Sequence, residues 1–447
     1  MVDFIKQAAH VKPDANQLRL LTETPFYAFI HFSPNTYTDL EWGTGKENPS
    51  IFNPKNLDCD GWCEAIKSAG MKGIVITAKH HDGFCLWQTK YTEHSIKNSP
   101  YKNGRGDIVK ELSDACRRHG LKFGFYLSPW DRNSALYGTD AYNDYYKAQL
   151  TELLTNYGEI FHVWFDGACG EGANGKKQVY DFDGYFELIR KYQPNATIFS
   201  DKGPIRWCGN ESGSSRYAEW AVVPSELCPF SKIQTGPGPM SGDLSYMYNT
   251  NQEIGSLSNI LYSQGLVFAP SEVDMSIRPG WFYHENEEPY SVDRLFDTYL
   301  RSVGGNTTFI LNIPPRPDGT FDKKDVVRLK ELGEKINSAF SVNLAKDKNI
   351  TVSSFPNSDT QQIVNIEFDK KEKINYLSFG ENIAEGQRVE SFIVQRRDGT
   401  GRWIDCFEGT TVGARRIIAL DGITTDGIQI MITASRDNPE LIGIKAF

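Results

Sequence analysis

The sequence predicts a (β/α)8-type barrel followed by an antiparallel β-sandwich, and three observations carry that expectation. Short apolar runs alternate with helical patterns up to about residue 342, a pace that calls for parallel pairing. Runs such as GIVITAK (73–79) and IFHVWFD (160–166) are apolar on both faces, as strands buried between two layers must be. Beyond about Asn343 the pattern becomes alternating and β-branched, bounded by Gly, Asn and Asp. The 447 residues divide accordingly, with 1–342 expected as the barrel and 343–447 as the sandwich.

In order, the expected barrel strands are 26–32, 73–79, 122–128, 160–166, 196–200, 216–220, 266–273 and 307–313. Helices are expected over 59–69, 107–119, 141–157, 182–191 and 292–302, with 323–340 as a closing helix. Eight strands over roughly 290 residues suit a barrel better than the alternative, an open doubly wound sheet. The sandwich strands are expected in NITVSSF, IVNIEFD, INYLSFG, SFIVQRR, IIALD and GIQIMIT.

Composition narrows the function. The net charge is −9 and no Lys/Arg run occurs, which argues against nucleic acid or an anionic membrane as partner. No apolar run approaches the roughly 18 residues of a spanning helix. Eight cysteines are scattered without a CxxC pair, so buried thiols are expected and a structural zinc site is not. The opening MVDFIKQAAHVKPDANQ has no apolar h-region. A cytoplasmic protein and a periplasmic or secreted protein in its mature form are both compatible with that. Nine Trp and 21 Tyr leave aromatics to spare for stacking on sugar faces, unless they all fill the core.

In a barrel, catalytic groups come from the C-terminal ends of strands and the loops after them. Strand one ends at His31, and its loop supplies Glu41 and Trp42. Strand two ends in AKHHDGFCLW, with His80, His81 and Asp82, and Trp87 shortly after. Strand three brings Tyr126, Trp130 and Asp131, and strand four ends in VWFDG at Asp166. Further on come Arg206, Trp207, Asn210 and Glu211 in RWCGNESG, then Arg278 and Trp281. Such a set of His, Tyr, Asp and Glu walled by Trp suits a small polyol. Hydroxyls need paired donors and acceptors, and the apolar sugar face needs a ring. His80 and His81 are adjacent, so both bind one metal only if the strand end bends. The plainer reading has one packed and the other hydrogen-bonded. Asp166 is either a ligand-facing carboxylate on a rigid strand or a cap at a strand-to-loop turn. Glu211 taken alone reads as a solvated loop glutamate.

The segments HFSPNTYTDLEWG, AKHHDGFCLW, VWFDG and NTTFILNIPPRPDG resemble the signatures of family 29 α-L-fucosidases, with similarity from about residue 20 to 340. The resemblance implies a barrel, sometimes irregular, a C-terminal β-sandwich, and hydrolysis with retention at the anomeric carbon. It implies Asp166 as nucleophile and His31, His80 and His81 as sugar-binding histidines. Glu41, Trp42 and Tyr126 match further family positions, and Trp281 matches the wall near the fucose methyl. The family's acid/base varies in position. In the branch acting on α-1,3/1,4 linkages a glutamate sits in a Trp-Cys-Gly-Asn-Glu-like context, which Glu211 matches. Glu171, Glu219, Glu226 and Glu272 compete for that role. The expected partner is therefore a fucosylated oligosaccharide of the Lewis type, with no cofactor and no metal. Alternatives are a non-catalytic fucose-binding protein, a glycosidase for another neutral sugar, and a metal-dependent hydrolase using His80, His81 and Asp166. In the sandwich, Trp403 and the Arg396–Arg397 pair are either glycan contacts or packing.

Overall fold

A computed structural model describes residues 2–217, 219–242, 253–356 and 358–447. Its strands run β1 (Phe26–Ile30), β2 (Gly73–Lys79), β3 (Lys122–Leu127), β4 (His162–Trp164), β5 (Thr197–Phe199) and β6 (Arg206–Trp207). Then follow β7 (Val222–Pro224) and β8 (Leu266–Phe268), which pair antiparallel with each other, and β9 (Ser271–Ser276) and β10 (Thr308–Asn312). Eight of these form one parallel sheet in the order β5-β4-β3-β2-β1-β10-β9-β6. The two ends meet through a single bridge between Phe199 and Ile205, so the barrel is nearly closed. Every residue of β1 and β2 is buried, which explains why their sequences are apolar on both faces.

The helices Cys59–Ser68, Ile108–His119, Ala141–Asn156, Phe182–Tyr192, Val292–Ser302 and Lys323–Phe340 agree with expectation to within a residue or two. Five of them start on a side-chain cap, from Asp58, Asp107, Asp181, Ser291 and Asp322. Each cap oxygen takes an amide that the first helical turn leaves unpaired.

Two expected strands differ. The described residues of 216–220 form no strand. There Glu219 is drawn into ion pairs with Arg206 and Arg216, and the sixth stave is Arg206–Trp207 instead, reached from β5 by a turn with no helix. The expected strand 266–273 divides at Pro270, which has no N–H to continue a ladder. Its first part pairs with β7 outside the barrel, and the remainder begins β9.

The C-terminal region comprises β11 (Asn349–Ser354), β12 (Gln362–Glu381), β13 (Val389–Arg397), β14 (Trp403–Gly409), β15 (Arg416–Ser435) and β16 (Leu441–Ala446). All belong to one antiparallel network, because β12 and β15 are 20 residues long and shift register at bulges partway along. β13 pairs with the second part of β15, and β16 pairs with the second part of β12. Both halves send side chains, among them Val364, Phe379, Phe392 and Ile418, into one apolar cluster. Arg397 is engaged by Glu367 and Asp426 and lies 5.7 Å from the Trp403 ring centre, so this pair packs within the sheet. All eight cysteines are free, and six are buried. Among the described residues no helix is long and apolar enough to cross a membrane.

Gly333 tests the closing helix. A Cβ built there would lie 1.8 Å from the Ser68 carbonyl oxygen, where two helices touch through backbone. Gly333→Ala is expected to destabilise the protein by about 1–3 kcal/mol through overpacking, measured by denaturant unfolding.

Candidate active site

The C-terminal ends of β1, β2, β3, β4 and β9 surround a cavity of about 160 Å³. Asp166, Glu211, His31, Glu41, Trp42, His80, His81, Tyr126 and Trp281 all line it. Phe29, Trp164, Ala168 and Asp274 complete the wall and were not anticipated. The signal for three of them was present: Phe29, Trp164 and Asp274 lie two residues from inward-facing or strand-end positions, and alternate residues of a strand share a face. Volume alone does not mark the site. A cavity of about 330 Å³ at the opposite end of the barrel, lined by Lys122, Phe161 and Thr197, contains no histidine.

The three imidazoles are buried and held neutral. Burial lowers His31 to about 3, and its hydrogen bond to Asn312 only partly opposes this. His80 is pushed well below its ordinary value by burial, then by His81 and His31. His81 is lowered by burial, with Asp166 pulling the other way. Two tautomers follow from their partners. The Asn312 side-chain NH2 donates to the Trp281 carbonyl at 2.8 Å, so its oxygen faces His31 Nδ1 at 2.9 Å and must accept. Ser128 spends its hydroxyl proton on the Trp130 carbonyl at 2.7 Å, so His81 Nδ1, 2.7 Å away, must be the donor. Both rings therefore keep a bare Nε2. His80 Nδ1 is buried without a protein partner. A buried polar atom left unpaired costs about 1–3 kcal/mol, which a ligand hydroxyl would recover.

The carboxyls divide into engaged and available. Asp166 lies two residues beyond the end of β4; Tyr126 Oη donates to its Oδ2 at 3.1 Å and the Ala168 amide to its Oδ1 at 2.7 Å. His81 Nε2 stands 3.7 Å from the same Oδ2, and the Asp166 side chain is 25% exposed. Glu211 receives the Trp281 indole N–H at 3.2 Å. Its carboxyl is raised above the ordinary value by burial, against the Trp281 hydrogen bond and with the charges of Asp166 and Glu41 adding. Asp274 is pushed well above its usual range by burial although Trp207 Nε1 donates to it at 2.8 Å. Glu41 reaches the wall with both oxygens occupied by the amides of Trp281 and Phe282 and by His284. Trp42 is 57% exposed at the mouth, edge-on to Trp130.

A family model described as alpha-L-fucosidase matches residues 22–339. The chain belongs to the α-L-fucosidase family. Alpha-L-fucosidase 1 of Arabidopsis thaliana is 40% identical over 444 residues, 92% of this chain and 82% of that protein. A glycoside hydrolase 29 family member from an unknown rumen bacterium is 38% identical, with TM-score 0.85 over 98% of this chain and 78% of its own. A family 29 fucosidase of Ruminococcus gnavus, solved in complex with fucose, is 30% identical, with TM-score 0.83 over 98% of this chain and 95% of its own.

In this fucosidase the other glutamates considered from sequence lie off the cavity. Glu219 is fully buried between Arg206 and Arg216. Glu272 sits inside the barrel, accepting from Trp164 Nε1 at 2.7 Å and from Tyr27 Oη. Glu226 accepts the Gln264 amide, and Glu171 is exposed with its carbonyl turned to Trp130. Asp82 is occupied by Ser33, Asp131 by Lys79, Trp87 by Glu152, and Arg278 by Asp325. Asn210 braces the loop by donating to the Ser214 carbonyl at 2.8 Å. No three His, Cys, Asp or Glu side chains among the described residues are grouped to hold a metal.

The Trp281 indole favours the ionised form of Glu211, so its loss has a defined sign. Trp281→Phe keeps an aromatic cover and deletes the donor. Glu211 is then expected to titrate at higher pH, followed by carbon NMR of the labelled carboxyl.

Proposed function

We propose that this α-L-fucosidase works by double displacement, with Asp166 as nucleophile and Glu211 as general acid and base. The observation that carries the reading is the contrast between two carboxyls on one small cavity. Asp166 takes a hydroxyl and an amide from the wall behind it, whereas Glu211, exposed on the loop after β6, has the Trp281 indole as its donor and a carboxyl raised above its ordinary value. Asp166 Oδ attacks the anomeric carbon as the glycosidic C–O bond breaks, and the departing oxygen takes the Glu211 proton. Glu211, now a carboxylate, removes a proton from water. That water displaces Asp166 from the anomeric carbon and releases fucose. Retention calls for carboxyls about 5–5.5 Å apart.

The bare Nε2 atoms of His31 and His81 accept sugar hydroxyls, and His80 pairs with another. Trp281 lies 5.0 Å from the His31 ring centre and offers its face to the C-6 methyl. Trp42 at the mouth meets the next sugar. Glu41 contributes by holding the Trp281 backbone. We read 1–342 as the catalytic unit and 343–447 as a sandwich docked on it. The Trp-Cys-Gly-Asn-Glu run at 207–211 supports α-1,3/1,4-branched, Lewis-type glycans as substrates.

Asp166→Gly is expected to lower kcat on an aryl α-L-fucoside by a factor on the order of 10³ or more. Activity within about tenfold of the parent would remove Asp166 from this role. Azide should rescue Glu211→Ala but not Asp166→Gly with retained configuration, and proton NMR of the parent reaction should show the α-anomer of fucose first. Product analysis should show release from 3-fucosylated and Lewis-type oligosaccharides well ahead of a 2-fucosylated control. Equal rates would overturn the linkage assignment alone.

A further inference from the structure

Glu211 has no regular secondary structure to hold it. It lies in the excursion from β6 to β7, which is tied to the barrel side by Ser215 Oγ on the Arg301 carbonyl at 2.9 Å and Asn306 Nδ2 on the Glu219 carbonyl at 2.8 Å, and further by three sets of contacts. At its stem, Glu219 pairs with Arg206 at 2.7 Å and Arg216 at 3.1 Å, and Arg216 also donates to the Cys208 carbonyl at 3.2 Å. At its apex, Asn210 Oδ1 accepts from the Ser212 hydroxyl at 2.6 Å and the Ser214 amide at 3.3 Å, folding residues 210–214 on themselves. The third set comes from the C-terminal sheet. Tyr217 Oη donates to the Glu408 carbonyl of β14 at 2.7 Å. Arg416 of β15 donates to the Tyr217 carbonyl at 3.1 Å, and its guanidinium lies 5.3 Å from the Tyr217 ring centre. The same start of β15 is clamped to the barrel, through Ile417 N to the Gly304 carbonyl at 2.8 Å and Asn306 N to the Arg415 carbonyl at 3.1 Å.

We infer that Tyr217 and Arg416 form a clasp by which the C-terminal sheet positions Glu211 over the cavity, making that sheet a working part of the active site. The inference rests on the reading of Glu211 as the acid/base. A loop with a self-bonded apex behaves as a rigid arm, so displacing its outer anchor displaces the carboxyl at its tip. Tyr217 is 60% exposed, yet its hydroxyl is given to a carbonyl of the C-terminal sheet. Tyr217 and Arg416 do not line the cavity, so they are positioning residues.

The clasp has a specific kinetic signature. Proton donation matters for a poor leaving group and little for a good one. Tyr217 is exposed, so Tyr217→Ala should fold as the parent does, with an unchanged melting temperature. Its kcat/KM should fall about tenfold on a fucosylated oligosaccharide and change less than about twofold on α-L-fucosyl fluoride. Tyr217→Phe, which keeps the ring against Arg416, should fall between Tyr217→Ala and the parent. Arg416→Met should repeat the pattern from the sheet side. An equal loss on both substrates, or no loss on either, overturns the clasp. Glu211→Ala serves as calibration. If it shows the leaving-group dependence and Tyr217→Ala does not, the clasp alone fails. If Glu211→Ala shows none, the acid/base assignment fails and the clasp falls with it.

Discussion

The side-chain amide of Asn312 ties together the parts on which the cavity depends. Its oxygen accepts from the His31 amide at 3.1 Å and from His31 Nδ1 at 2.9 Å, and its nitrogen donates to Ser276 Oγ at 2.9 Å and to the Trp281 carbonyl at 2.8 Å. Four hydrogen bonds from one buried side chain thus lock the ends of β1, β9 and β10 and the loop beyond β9. The amide's two ends differ chemically, so the arrangement also has a direction. It sets which nitrogen of His31 carries the proton and therefore what that ring offers to the cavity. Trp281, held at its carbonyl, is held again at its amide by Glu41 and reaches Glu211 through its indole.

Burial then does the electrostatic work. Three imidazoles in one water-poor wall would repel each other if charged, and all three are held below their ordinary values. A neutral imidazole can donate from one nitrogen and accept at the other, which is what sugar hydroxyls require. The same desolvation raises the carboxyls of Glu211 and Asp274 beside Asp166, which is itself supplied with two donors. A charged wall would favour an ion. This wall favours a neutral polyol, in keeping with α-L-fucosidase chemistry.

The nearly closed barrel bears on the same point. Between Phe199 and Ile205 the sheet closes through one bridge, and the chain passes from β5 to β6 without a crossover helix. A short stave leaves the segment after Trp207 free to run as a loop, and its ion pairs and the C-terminal sheet take over the job that a strand-and-helix unit performs elsewhere in the barrel. That is why the sheet domain and the cavity are linked through the excursion that carries Glu211.

Local pattern was enough for the elements whose fate depends on their own residues. The all-apolar runs of β1 and β2 had to be buried on both faces, and the capped helices had to start where Asp or Ser met an amphipathic run. Asp166 and the His80–His81 pair were legible because strand ends in a barrel point to one rim. Sequence by itself determined the barrel, the antiparallel domain after it, the α-L-fucosidase resemblance and nine of the thirteen residues that line the cavity. It misjudged 216–220, where Glu219 pairs with Arg206 and Arg216 and Tyr217 bonds to β14. It overlooked Asp274 and Asn312, which resemble ordinary strand residues until neighbours from other strands surround them. Tertiary structure alone decided the tautomers of His31 and His81, the occupied state of Glu41 and the grip of Tyr217 on β14. Each of these is a pairing between groups tens to hundreds of residues apart, and a hydrogen bond is specified by the relative position of its two partners, which local sequence does not contain.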